Sequence, residues 1–263
     1  MPTIVVAGAG PGLGRSVARR YGHEGYQAVL VAQRAEPLES LAAELRNAGI
    51  ATHAIPADLS DPDAMGDLAA RIREAAGDPD VLYYAPVSGG MTFVPAAQLT
   101  AEAVAANNRL LLESLVRLVG EFLPHLLDQH SGAILTAQGA TALTGRAGMS
   151  GPGPAMAAQR NYLQALEKEV AGDGVFVGRL YISALIRNSA IDQAMQQART
   201  SGGKALPAAA LIDPDALADK LWKMHHSGRP HETVAPAWGR IVFPLMSSAP
   251  VRRLMVKRTP PPA

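Results

Sequence analysis

Four glycines separated by single residues, Gly8-Ala9-Gly10-Pro11-Gly12-Leu13-Gly14, follow the apolar run Ile4-Val5-Val6-Ala7. Beyond Gly14 the apolar residues Val17, Ala18 and Tyr21 take a helical spacing. Strand, glycine turn and helix N-terminus together aim free backbone N–H groups at a phosphate. A side chain in the turn would hold the backbone away from a pyrophosphate, so the turn is built of glycine. The chemistry implied is dinucleotide binding, with Gly8, Gly10, Gly12, Leu13 and Gly14 around the phosphates. Arg15 lies just past the turn, and Arg34 just past a second apolar run; both guanidiniums suit a further phosphate. Between them, Ala32-Gln33-Arg34 occupies the place where a dinucleotide fold usually sets an acid on the ribose 2′-hydroxyl. No carboxylate stands there to repel a 2′-phosphate. The chain has no cysteine, which removes thiolate catalysis, disulfides and cysteine metal sites. Its seven histidines show no metal-ligand spacing.

The elements that must hold this turn alternate along the chain. Gln27 to Ala32 reads as a second strand, and Pro37 to Ala48 as a helix with Leu38, Leu41, Ala42 and Leu45 on one face. Ile50 to Ala57 is a third strand, Ser60 to Gly77 a capped helix, and Asp80 to Ala85 a fourth strand. A Gly- and Pro-rich loop follows, then one long helix to about Leu127, a strand over Gly132–Ala137, a helix over Met156–Ala171 and a strand over Val175–Ile182. Asp213-Pro214-Asp215 caps a further helix, and His231 to Ala235 is a last strand. This order predicts an α/β fold: a single doubly wound, Rossmann-type parallel sheet with helices on both faces. At 263 residues, 48% of them hydrophobic and 18% charged, the chain suits one large domain with a sizeable core. A net charge of +1 offers no bulk attraction for nucleic acid or anionic membrane. The apolar stretch Leu110–Leu127 is interrupted by Glu113, Arg117, Glu121 and Pro124, so no membrane span is expected. With no leader before the first strand, a cytoplasmic protein is expected.

The spacing Gly8-x-x-x-Gly12-x-Gly14, followed by an α/β chain of this length, resembles the short-chain dehydrogenase/reductase family over roughly Thr3 to Ala235. The resemblance implies a nicotinamide cofactor, and the basic residues near the ribose imply NADP ahead of NAD. It places Asp58-Leu59 at the adenine. Ala85 falls beside the cofactor, and Ile186 in the stretch after the sixth strand that also meets it. It further implies a catalytic tyrosine, a lysine four residues on, a serine and a supporting asparagine. Laid along the strand GAILTAQG and the helix that follows, those positions fall on Pro152, Met156, Gly139 and Leu111. None of these side chains moves a proton. No Tyr-x-x-x-Lys occurs anywhere in the chain. Tyr84, Thr136, Gln138, Thr141, Ser150 and Arg160 are the polar groups on segments near the expected pocket.

The expectation is therefore an NADP(H)-binding protein with an altered active site. It acts as a non-standard oxidoreductase, or as a redox-neutral isomerase or cyclase, on a small hydrophobic substrate. The apolar loop Met91-Thr92-Phe93-Val94 and a substrate lid over 184–212, with Gly202-Gly203 as its hinge, favour such a substrate. The alternatives are a catalytically silent sensor of NADP(H) or a metabolite, and a structural subunit that pairs with an active relative. A homodimer or homotetramer is expected, and the mixed apolar and basic tail 238–263 is expected to pack on its own or a neighbouring subunit.

Overall fold

The computed structural model describes residues 1–87, 91–189, 192–193 and 211–237. Gly202-Gly203, most of the expected lid and the tail 238–263 lie outside them. Seven strands form one sheet: β1 (Thr3–Ala7), β2 (Gln27–Ala32), β3 (Thr52–Pro56), β4 (Val81–Tyr84), β5 (Ala133–Gly139), β6 (Phe176–Ile182) and, numbered last in the chain, β9 (Glu232–Ala235). Their order is β3-β2-β1-β4-β5-β6-β9, and every pairing is parallel. Such a sheet needs both faces covered, and runs such as TIVVA, with all five residues buried, supply two apolar faces at once.

Helices α1 (Leu13–His23) and α2 (Ala35–Asn47) cover one face. The four residues picked out by periodicity in α2, Leu38, Leu41, Ala42 and Leu45, are its buried set. The opposite face packs against α3 (Met65–Ala76), α5 (Ser114–Asp128) and α6 (Gly153–Glu169). Between them, α4 (Ala101–Asn108) starts at Thr100, whose hydroxyl accepts from the Ala103 amide. The last helix, α7 (Pro214–Ser227), returns to the first face against α1. A side pair of two-residue strands, β7 (Leu185–Ile186) and β8 (Leu211–Ile212), runs parallel outside the main sheet.

Four expectations are corrected. The long helix ending near Leu127 is interrupted by a π-helical turn at Arg109–Glu113. The helix expected from Met156 begins at Gly153, with Pro152 as its N-cap residue. The strand expected to end at Ala137 runs on to Gly139. Helix α3 starts at Met65 behind a 3-10 turn, and Asp61 makes no side-chain cap. Because β1 leads to α1 on one face and β4 leads to α4 and α5 on the other, the ends of β1 and β4 form the crevice of the switch point.

Candidate nucleotide site

The glycine turn occupies this crevice. Gly8 has φ +100°, and a Cβ there would stand 2.6 Å from the Ala85 carbonyl oxygen, so the turn and the end of β4 are in backbone contact. A Cβ on Gly14 would meet the Gly8 carbonyl at 2.8 Å, which seats α1 tightly on its own strand. A Cβ on Gly12 would stand 3.0 Å from the Ser189 Cα. Gly10 is the contrast: nothing lies within 4 Å of a Cβ built on it. Three glycines of the turn are therefore set by packing, and Gly10 faces open space. The Gly8 and Ala9 amides are bonded to the Val31 carbonyl, and those of Arg15 and Ser16 to Gly10 and Gly12. The Leu13 and Gly14 amides, in the first turn of α1, have no helical carbonyl before them to bond. With no acid in that first turn, the helix dipole is left for an outside anion. The side chain of Leu13 is buried in the core, so this residue faces the crevice with its backbone alone.

Beyond the turn, Gln33 directly follows β2 and donates its side-chain amide to Asp58 Oδ2 at 3.2 Å. Asp58 Oδ1 accepts from the Ser60 backbone amide at 2.9 Å and from its hydroxyl at 2.7 Å. The Ser60 hydroxyl and backbone amide, with Gln33, hold the Asp58 carboxyl below its ordinary value. Asp58 thus closes the turn that leads into the 3-10 segment Pro62–Ala64. Leu59 is buried in the core of the α3 face. Arg34 is exposed at the N-cap of α2 and its side chain makes no cap hydrogen bond. Arg15 is engaged elsewhere: its Nε donates to Glu44 Oε1 at 2.8 Å and Oε2 at 3.1 Å, and Nη2 also pairs with that carboxylate. The shared hydrogen bonds raise the Arg15 pKa and lower that of Glu44.

At the other end of the crevice, Gly139 closes β5. A Cβ on it would stand 3.3 Å from Thr141 Oγ1 and 3.5 Å from the Met156 sulfur. Thr141 Oγ1 is itself 3.6 Å from that sulfur. Pro152 begins α6 one turn before Met156. The loop after β4 covers this corner: the Ser150 amide donates to the Val94 carbonyl at 2.9 Å. Gly151, at φ +51°, lies so close to the Thr92 carbonyl that any Cβ would collide with it. Leu111 lies in the π-helical turn, and two of that turn's carbonyls are satisfied by side chains from other elements. Tyr84 donates its hydroxyl to Leu110, and Gln159 of α6 donates its amide to Leu111. Arg160 turns away to Glu232 and leaves the corner. The Thr136 hydroxyl and both amide atoms of Gln138 are buried with no hydrogen-bond partner.

The expected site residues differ in what engages them. Ala85 lies against Gly8, and its amide bonds the Ala7 carbonyl at 2.9 Å. Ile186 sits in β7 and its carbonyl accepts from the Ser189 amide at 3.3 Å, which places this segment over Gly12. Residues that sequence reasoning passed over are Glu44, Gln159 and Ser189. Gln159 carried a readable sign, a polar residue spaced four from both Ala155 and Leu163 on the buried stripe of α6. Glu44 and Ser189 carried none, since each meets its partner only through the tertiary fold. Among the described residues no group of three His, Asp or Glu side chains is placed to hold a metal ion. No described helix is long and apolar enough to cross a membrane.

A family model described as short chain dehydrogenase matches residues 2–202. The chain is 30% identical over 177 residues to the serine 3-dehydrogenase of Agrobacterium fabrum, a match covering 66% of this chain and 68% of that one. Uncharacterized oxidoreductases of Mycobacterium match over 56% of their own length. Among solved structures, a short-chain dehydrogenase from Sphingobium yanoikuyae in complex with NADPH superposes with a TM-score of 0.74 at 25% identity, over 100% of this chain and 98% of that one. A short chain oxidoreductase from Pseudomonas aeruginosa PAO1, described as containing an atypical catalytic center, shares the fold with a TM-score of 0.77 at 19% identity, over 90% and 96% of the two chains. The glycine crevice at the β1–β4 switch point and a family match over residues 2–202 agree, and the chain belongs to the short chain dehydrogenase family.

Proposed function

We propose that this protein binds NADP(H) in the glycine crevice and uses an altered active site on a small hydrophobic substrate. The observation that carries the reading is the contrast between the two ends of the crevice. At one end the open face of Gly10 and the first amides of α1 fit a pyrophosphate. At the other, Gly139, Pro152 and Met156, which the resemblance sets at the serine, tyrosine and lysine positions, neither donate nor accept a proton. The bound nicotinamide would supply hydride transfer; this chain supplies its seat. Gly8, Gly10, Gly12, Leu13 and Gly14 hold the phosphates. Asp58 and Leu59 stand at the adenine, Arg34 beside Gln33 at the ribose phosphate, and Ala85 and Ile186 flank the path to the nicotinamide.

Loss of a positioned acid or base removes roughly 10²–10⁴ in rate, so ordinary carbonyl reduction is not the expected reaction. Hydride transfer to an acceptor whose proton comes from substrate or water, or a redox-neutral isomerisation or cyclisation, needs no such relay. Exposed Phe93 and Val87 on the loop after β4 suit an apolar substrate. The reading includes a homodimer or homotetramer.

The test has two parts. NADPH and NADH are titrated separately, followed by nicotinamide fluorescence; Arg34→Asp weakens NADPH by about tenfold or more and leaves NADH within about twofold, as expected for loss of one charge-assisted phosphate contact. Candidate apolar substrates are then incubated with the loaded protein and the products weighed. A product isomeric with its substrate supports the redox-neutral reaction. Fast NADPH-dependent reduction of ordinary ketones contradicts the altered-site reading.

A further inference from the structure

Resting on the NADP(H) reading, we infer that Glu44 sets how strongly the site prefers the phosphorylated cofactor, by holding the Arg15 guanidinium out of the ribose end. The three arginines of α1 are all claimed by acids. Arg15 pairs with Glu44 of α2, Arg19 with Asp215 of α7, and Arg20 with Glu24 and with Asp219 of α7. The Arg15 pairing is a fork-on-fork contact: both Nε and Nη2 face the one carboxylate. A guanidinium bound in that way has its Nε–Nη2 edge occupied and its charge offset locally. Arg34 is the contrast, exposed and with no acid partner among the described residues.

Two cations thus stand near the starts of α1 and α2, and one of them is held by Glu44. The pair is half-exposed, so little free energy opposes its opening. A free dianionic phosphate competes with Glu44 for the same donors. Glu44 is therefore a specificity residue that acts through Arg15, with no contact of its own to the cofactor. Its removal releases a second cation for the 2′-phosphate and does nothing for a cofactor that lacks one.

The experiment is a cycle of Glu44→Gln, Arg15→Gln and the double variant, titrated with NADPH and NADH at low and moderate salt. Glu44→Gln is expected to tighten NADPH by about three- to tenfold, the worth of one exposed charge-assisted contact, with NADH unchanged. The gain shrinks with added salt. Arg15→Gln alone leaves the NADPH to NADH ratio as it was, and in the double variant the gain disappears. Equal tightening of both cofactors, no change in Glu44→Gln, or a gain that survives Arg15→Gln would overturn the inference. Thermal melts show which variants are folded, and Glu44→Ala repeats the measurement without the amide. If the wild-type protein binds neither nucleotide, the NADP(H) reading itself has failed and Glu44 falls with it. If it binds NADPH and Glu44 does not matter, only the inference has failed.

Discussion

Nε of Arg179 donates to Oε1 of Glu232 at 3.0 Å, joining β6 to the last strand of the sheet. The same guanidinium donates to the Leu163 carbonyl at 3.0 Å and to Glu167, both on α6. Arg160 and Gln164 of α6 add hydrogen bonds to Glu232 at 2.9–3.0 Å, and the Tyr181 hydroxyl adds another at 3.2 Å. One carboxylate thus anchors the helix that carries Met156 to the sheet edge. Arg179 itself is nearly sealed, its side chain only 2% exposed, so its charge is tolerated only while these partners remain.

Glu232→Gln is therefore expected to cost about 2–3 kcal/mol, a buried-pair penalty reduced because the glutamate is partly exposed. Burial pushes the Glu232 carboxyl up, but the Arg160 hydrogen bonds and the two arginine charges outweigh it and leave the group below its ordinary value. A carboxyl depressed on folding adds stability that is complete above its unfolded pKa and is lost as pH falls through the folded one. Urea melts of wild type and Glu232→Gln should differ most at neutral pH and converge toward acid pH.

A second pH effect comes from His225. Its Nδ1 lies 3.1 Å from the Tyr21 hydroxyl, and its ring stacks on Tyr21 and Phe176, with Trp222 edge-on. Burial, and then the nearby His226, lower its pKa to about 4. The unfolded chain takes up a proton near pH 6.5 that the folded chain refuses, so stability falls as pH drops from about 6.5 to about 4 and levels off below. The effect is at most roughly 3 kcal/mol. Melting temperatures of His225→Gln across that window should show a flatter slope; an unchanged slope would assign the loss to other groups.

The π-helical turn offers a third test. Gln159→Leu leaves the Leu111 carbonyl buried without its donor, and Tyr84→Phe does the same to Leu110. Each should cost about 1–3 kcal/mol. The two turn carbonyls are adjacent, so the double variant should depart from additivity. Chemical melts of the two single variants and the double one check this.

The parallel sheet was legible because burial on both faces writes itself as continuous apolar runs, as in Ile4–Ala7. The glycine turn was legible because only glycine satisfies its packing and its openness together. What was not legible depends on distant pieces. The π turn at Arg109–Glu113 has ordinary helical residues, and the side chains that satisfy it, from Tyr84 and Gln159, come from elsewhere. The helix expected from Met156 starts three residues earlier, at Gly153, with Pro152 at its N-cap. Arg15 reads as a free phosphate ligand until α2 folds beside it and brings Glu44 into reach.

Gly10 and Gly8 together give the most direct measurement of the central claim. A methyl on Gly10 meets nothing within 4 Å and would fill only the space where the proposed pyrophosphate sits, whereas one on Gly8 would strike the Ala85 carbonyl. We expect Gly10→Ala to melt within about 0.5 kcal/mol of wild type, as a surface change does, and to lose NADPH binding by about tenfold or more; Gly8→Ala should lose both stability and binding. NADPH bound equally well by wild type and Gly10→Ala, at unchanged melting temperature, would contradict the claim that this turn is the phosphate seat.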